Sequence, residues 1–170
     1  MRMARLLWPV FVTVLLFASA PVGAQQPVAP PPPSIPYGAP ISLEQAKKVI
    51  AGAETEAKKN NWNMVIVVLD SGGHLIMFER MDGAQLGSIE AAKDKAYSAV
   101  FYRRPTKAFQ DLVGQGGPNL RVLRLAGASP LEGGIPIVVD GKIIGAVGVS
   151  GAASEQDAQV AQAGIDALTK

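Results

Sequence analysis

His74, the only histidine in the chain, is the residue whose type and position most directly offer chemistry. It follows the turn Asp70-Ser71-Gly72-Gly73. A single imidazole can act as a base or as an axial ligand to haem iron. Because the chain has no cysteine and no second histidine, a multi-histidine or thiolate site for zinc or copper is excluded. A histidine that only hydrogen-bonds its own turn is the alternative, and the position leaves both open.

A basic cluster, Arg103-Arg104-Pro105-Thr106-Lys107, is the second candidate. The proline predicts the end of one helix, and Thr106 is placed to cap a short helix that follows. Two guanidinium groups beside a helix start suit a carboxylate or a propionate. The alternative is a solvated helix end whose arginines pair with local acids.

Other catalytic motifs are missing from the sequence. Gly148-Val149-Ser150-Gly151 lacks the spacing of a nucleophile elbow, and no glycine-rich stretch has the pattern of a phosphate loop. A serine hydrolase and a nucleotide-binding enzyme are therefore disfavoured. Gly145 and Gly148 lie within a predicted strand, where glycine often marks close approach by backbone or ligand.

Two hairpins must position these residues. Met64–Leu69 and His74–Met81 flank the Gly-Gly turn, and Ile135–Val139 and Lys142–Ser150 flank Asp140-Gly141. Hairpins cannot form an all-parallel sheet, so we predict one antiparallel sheet with helices packed against it, an α+β fold.

Four helices are predicted around the hairpins. The sequence from Ser42 to Gln45 is a capping box that opens the first. Ser88 is placed to cap Ile89–Tyr102, whose apolar face is mostly alanine and so permits close packing. Thr106 is placed to cap Lys107–Val113, and the last helix opens at Ser154.

The N-terminal residues resemble a secretory signal peptide, assigned to residues 1–24. Arg2 and Arg5 precede the apolar stretch Leu6–Ala20, and Val22-Gly23-Ala24 is a suitable cleavage site. A retained membrane anchor is the alternative, but the stretch is short for a span of about 20 residues. We therefore expect a periplasmic or secreted protein with no stable membrane anchor after cleavage.

Residues 25–40 form a proline-rich tract, expected to be an extended linker, and residues 41–170 form one domain. Without Arg2 and Arg5, 14 of the 16 basic residues remain, against 14 acidic residues. This balance predicts no nucleic-acid partner.

Three stretches of the sequence resemble the GlcG/HbpS-like family of haem-binding or haem-degrading proteins. They are DSGGHLIMFERMDGA, SIEAAKDKAYSAVFYRRPT and GGIPIVVDGKIIGAVGVSG, and DAQVAQAG follows them. The resemblance spans about the whole of residues 41–170. The matching positions are Asp70, Gly72, Gly73, His74, Arg80, Asp82, Lys95, Arg104, Pro105, Thr106, Gly133, Gly134, Gly145 and Gly151.

The resemblance implies a profilin-like fold, assembly into homo-oligomers and, in some members, haem as cofactor. His74 and Thr106 become candidate iron ligands, and Arg103 and Arg104 candidate partners for the propionates. The alternative is an enzyme or accessory protein for a small organic acid or alcohol, with Lys95, Arg104 and Gly145 at the ligand. A scaffold whose oligomerisation is the function is a third possibility. Whether the protein is an enzyme is undecided at this point.

Overall fold

The strands and helices follow the order that the sequence predicts. The structure is a computed structural model and describes residues 34–168. Residues 1–24 and most of the proline-rich tract lie outside the described residues. The elements are α1 (Leu43–Lys59), β1 (Val65–Asp70), β2 (Leu75–Arg80), α2 (Gly87–Tyr102), α3 (Lys107–Gln115), a 3-10 helix (Gly117–Arg124), β3 (Gly134–Val139), β4 (Lys142–Ser150) and α4 (Ser154–Asp166).

The four strands form one antiparallel sheet in the order β2-β1-β4-β3. Both hairpins therefore lie in the same sheet, and the predicted α+β fold is confirmed. Asp140 and Gly141, between β3 and β4, both have positive φ, 48° and 72°. A type I′ turn requires this combination, which explains why an Asp-Gly pair closes the hairpin.

Each face of the sheet carries its own apolar core. Ile66 and Val68 of β1 point to the face covered by α1 and α4. Val65 and Val67 point to the opposite face, where they pack with the alanines of α2. Alternate side chains of β1 thus belong to the two cores. This explains why β1 is apolar on both faces.

Helix α2 lies directly on β4 at Gly148. A Cβ atom at this position would overlap the Ala92 carbonyl oxygen and the Ala96 backbone nitrogen. The close packing expected from the small face of α2 is confirmed. Of the two alternatives that the sequence leaves open at Gly148, the close approach is made by backbone and not by a ligand, because the backbone of α2 fills that space.

One of the three predicted helix caps is present in the structure. Ser42 accepts a hydrogen bond from the Gln45 amide, and the Gln45 side chain accepts one from the Ser42 amide. Ser88 instead lies inside α2, buried beside the Ser150 hydroxyl at 3.3 Å. The Thr106 side chain makes no capping hydrogen bond either, because it is used elsewhere in the fold.

The packed domain begins before Ile41. Ile143 donates a hydrogen bond to the Pro36 carbonyl (2.9 Å), and the amide of Gly38 donates one back to Ile143 (2.8 Å). The last residues of the proline-rich tract therefore extend the sheet alongside β4. Within residues 34–168, no helix is both long and apolar enough to span a bilayer.

Candidate functional site

His74 is held at one ring nitrogen by Asp70. The Asp70 carboxylate accepts hydrogen bonds from the backbone amides of Gly72 (2.8 Å) and His74 (2.9 Å), which fixes the turn. The same carboxylate lies 3.3–3.4 Å from His74 Nδ1, and the imidazole is 81% exposed. Among the described residues, no group bonds Nε2. The ring is therefore oriented by a carboxylate and offers its second nitrogen to a ligand.

The carboxylate of Asp70 stays ionised to lower pH than an ordinary aspartate. Partial burial alone would raise the pKa of Asp70. The amides of His74 and Gly72, together with the His74 ring, outweigh burial and bring this pKa below its usual value. Asp70 matched the family motif, but its role toward His74 was not predicted. The spacing of four residues across a Gly-Gly turn is the signal that could have shown it.

An exposed aromatic pair adjoins the His74 turn. The rings of Tyr97 and Phe101, one turn apart on α2, stack with centroids 3.9 Å apart. Phe101 also lies against Gly73, where a Cβ atom would sit 2.6 Å from its ring. Leu75, at the start of β2, is 57% exposed beside them. We call His74, Leu75, Tyr97 and Phe101 the His74 face.

A groove of about 280 Å³ lies between β2 and α2, and Leu75 and Tyr97 are the two residues of the His74 face that line it. Lys93 adds a cation to its wall, although this lysine already pairs with Glu90 at 3.0 Å. The lining residues are Leu69, Gly73, Leu75, Glu90, Lys93, Asp94 and Tyr97.

Arg103 follows Phe101 of the His74 face by two residues. It ends α2 in the left-handed conformation (φ 52°), and its guanidinium lies over the Tyr37 ring, 5.4 Å from the centroid. Tyr37 donates a hydrogen bond to the Val100 carbonyl (2.8 Å), which ties the N-terminal segment to α2.

Arg104 belongs to a different surface from Arg103. Its guanidinium lies 5.7 Å from the centroid of the Phe109 ring, and it lines a cavity of about 340 Å³ between α3 and the 3-10 helix. Arg121 lines the same cavity. The expectation that Arg103 and Arg104 act together is therefore not met in this structure. Arg121 was missed because the sequence predicts no definite element for Leu120–Leu125.

Thr106 is fully buried and bonded to β3. Its hydroxyl accepts a hydrogen bond from the Gly134 amide (3.0 Å), while the Thr106 amide donates to the Gly134 carbonyl (2.9 Å). The predicted role of Thr106 as an iron ligand is not supported, because the residue is not exposed to a ligand. The side chain instead joins the start of α3 to the edge of the sheet.

Lys95, expected at a bound carboxylate, already binds a carboxylate of its own chain. Its ammonium lies 2.7 Å from Asp157 Oδ2 and 3.0 Å from the Val149 carbonyl oxygen, and both side chains are almost fully buried. Burial raises the pKa of Asp157, and the hydrogen bond from Lys95 opposes that rise without cancelling it. This geometry gives Lys95 a structural role in place of the predicted ligand contact.

Gly145 is likewise enclosed by the protein. A Cβ atom there would overlap the Leu69 carbonyl oxygen and sit 3.1 Å from the Ile41 side chain. The close approach that this glycine signals is made by the protein itself, so the predicted ligand contact is not supported. No group of three or more potential metal-binding side chains occurs within residues 34–168.

Comparison with known proteins gives this geometry a context. Residues 41–166 match the model of a family described as "Haem degrading protein HbpS-like". The chain belongs to the HbpS-like family. Its resemblance to that family, first seen in the three sequence stretches, is thereby confirmed.

Individual relatives agree with this assignment. Protein GlcG of Escherichia coli (strain K12) is 44% identical over 110 residues, which cover 65% of this chain and 81% of GlcG. The crystal structure of HbpS is similar with a TM-score of 0.68 and 32% identity, covering 76% of this chain and 90% of HbpS. PduOC in complex with haem gives a TM-score of 0.69 and 29% identity, covering 76% of this chain and 95% of PduOC. Members of the HbpS-like fold thus include at least one protein with bound haem.

Proposed function

We propose that this protein binds haem on the His74 face, with His74 Nε2 as the iron ligand. The observation that carries the proposal is the Asp70–His74 contact beside an exposed, stacked aromatic pair. Histidines that bind metal usually donate their other ring N–H to a carboxylate or carbonyl, which fixes the ring. Histidine is also a common axial ligand of haem iron. The donor set therefore fits the cofactor.

The surroundings of His74 suit the rest of a porphyrin. Leu75, Tyr97 and Phe101 offer apolar and aromatic surface that is otherwise exposed to water, and such patches mark binding sites more often than isolated apolar side chains do. Arg103, which ends α2 two residues after Phe101, is the residue we assign to a propionate. Bound haem would supply iron redox chemistry, and the residues named here would bind and orient it.

Haemin titration followed by Soret absorbance tests this proposal. We expect a shifted Soret band with wild type and the loss of the histidine-ligated spectrum with His74→Ala. Asp70→Asn keeps the oxygen that the turn amides need but changes the partner of Nδ1. We expect it to weaken binding by about 10- to 100-fold, as is typical when such a partner of a metal ligand is removed.

Two leucines of similar exposure provide a matched control. Leu75 is 57% exposed on the His74 face, and Leu123 is 55% exposed on the 3-10 helix. Leu75→Ser should weaken haemin binding and Leu123→Ser should not. An unchanged spectrum and affinity in His74→Ala would place the iron ligand elsewhere, and no Soret change with wild type would refute haem binding.

We extend the proposal to haem degradation and to a periplasmic or secreted location. The family description supports the first, and the signal-peptide pattern of residues 1–24 supports the second. Loss of Soret absorbance after ascorbate or hydrogen peroxide, faster than for free haemin, tests degradation. N-terminal sequencing of the protein recovered from a periplasmic extract tests cleavage after Ala24.

We also propose that the protein is a homo-oligomer. A groove of about 280 Å³ encloses only part of a porphyrin, since drug-sized ligands alone occupy pockets of about 300–1,000 Å³. A second copy over the exposed apolar side chains would complete the enclosure. Light scattering at micromolar concentration tests this, and a monomeric mass with and without haemin would contradict it.

A further inference from the structure

The cavity between α3 and the 3-10 helix has no part in the proposed haem site. It is lined by two arginines, Arg104 and Arg121, together with apolar side chains. Charged groups beside an apolar wall are the usual composition of a small-ligand site. The cavity residues are Arg104, Phe109, Leu112, Asn119, Arg121, Val122 and Leu125.

The positive charge of this cavity is not neutralised by neighbouring acids. Within residues 34–168, no carboxylate lies within ion-pair distance of Arg104 or Arg121. Two acids of the neighbouring segments pair with Lys107 instead, whose ammonium lies 2.9 Å from Asp111 and 3.8 Å from Glu132. Both arginines therefore have charge available for an anion.

The Arg104 guanidinium is positioned but not saturated. Its Nε donates to the Tyr102 carbonyl (3.1 Å), and the group lies over the ring of Phe109. These contacts fix the plane of the guanidinium, while its two terminal nitrogens have no hydrogen-bond partner among the described residues. A fixed guanidinium with free terminal nitrogens suits a carboxylate, which it can bind through two parallel hydrogen bonds.

The apolar lining of the cavity indicates what the part of the ligand other than its carboxylate should be. Phe109 is 2% exposed and Val122 4%, so both are buried, and Leu112 and Leu125 complete the apolar lining. A volume of about 340 Å³ is at the small end of the range for ligand pockets. A small hydroxy acid would leave this wall in contact with water, whereas a flat hydrocarbon group would cover it.

We propose that this cavity binds a small monocarboxylate that carries a flat apolar group, with Arg104 and Arg121 binding the carboxylate. The inference concerns a different surface from the His74 face and does not rest on haem binding. Benzoate is the probe, with benzamide as a neutral molecule of the same shape and acetate as a carboxylate without the ring.

Isothermal titration of the purified protein, repeated by NMR, tests the proposal. We expect saturable benzoate binding and at least tenfold weaker binding of benzamide and of acetate. Arg104→Gln and Arg121→Ala should each weaken benzoate binding by about ten- to a hundredfold, as expected for the loss of one charged hydrogen bond. Arg121 is exposed and makes no hydrogen bond or ion pair within residues 34–168, so its variant separates ligand binding from folding.

Arg124→Ala is the matched control, because it removes the same charge from the same 3-10 helix and Arg124 does not line the cavity. It should bind benzoate within about twofold of wild type, since only screened, long-range charge is lost. Equal affinity for benzamide, or no saturation with benzoate at millimolar concentration, would overturn the proposal. Competition between benzoate and haemin would overturn the claim that the two sites are separate. The haem proposal is judged by its own titration, so either can fail without the other.

Discussion

Replacement of Asp157 by asparagine should strongly destabilise the fold. The Lys95 ammonium lies 2.7 Å from Asp157 and 3.0 Å from the Val149 carbonyl, and both charged side chains are no more than 3% exposed. Asparagine keeps an oxygen for the Ala152 amide, which now donates to Asp157 Oδ1 at 3.0 Å. The buried ammonium, however, loses its counter-charge. Breaking a buried pair in this way costs about 3–5 kcal/mol of the free energy of unfolding.

A second substitution should recover much of that loss. Lys95→Met removes the ammonium while keeping a long apolar side chain in the same space. Because burial of the two charges opposes their attraction, a pair without charges is often as stable as the ion pair. We therefore expect Lys95→Met with Asp157→Asn to be more stable than Asp157→Asn alone.

Urea unfolding followed by circular dichroism measures both effects, provided that the slope of the free energy of unfolding against urea concentration is the same in all variants. Lys107→Ala is the control, since its ion pair with Asp111 has a similar length, 2.9 Å, but about half-exposed side chains. An exposed pair contributes about 0.2–1 kcal/mol. If Asp157→Asn loses no more stability than Lys107→Ala, water reaches the pair and the reasoning fails. If Lys95→Met folds but no longer binds haemin or benzoate, Lys95 is a ligand contact after all.

Two further predictions concern stability. Gly148→Ala should lower the free energy of unfolding by about 1–3 kcal/mol or more, because its Cβ would overlap the backbone of α2. Gly114→Ala has open space around it in α3 and should raise the free energy of unfolding by about 0.5–1 kcal/mol. Equal Tm values for the two variants would contradict the close packing at Gly148. The second prediction concerns Glu79, whose pKa is raised by burial and then by the nearby Glu54 carboxylate, against a smaller opposing effect of Lys58. Glu79 Oε1 also has no hydrogen-bond partner among the described residues. Between the ordinary carboxyl pKa and this raised value, the folded protein binds more protons than the unfolded chain, so stability falls as pH rises through that window. Glu79→Gln should therefore raise Tm relative to wild type at pH 7 and not at pH 4, and the same difference at both pH values would contradict this assignment.

The sequence by itself predicted the elements whose geometry depends only on residues close to one another in the chain. Asp140-Gly141 predicted the turn between β3 and β4 because both positions need positive φ, and both have it. The Ser42 capping box predicted the start of α1 for a similar local reason. The small side chains of α2 predicted a close neighbour, although not that β4 would be that neighbour. His74 was also identified at this level, since it is the only imidazole in the chain.

Tertiary structure decided which side chains meet. Arg103 and Arg104 are adjacent in sequence, but the left-handed backbone at Arg103 ends α2 there, and the two side chains contact different surfaces. Lys95 meets a carboxylate 62 positions away, and this pairing decides that its charge is buried. Burial and the pairing of distant residues follow from how helices pack on the sheet, which no local pattern records.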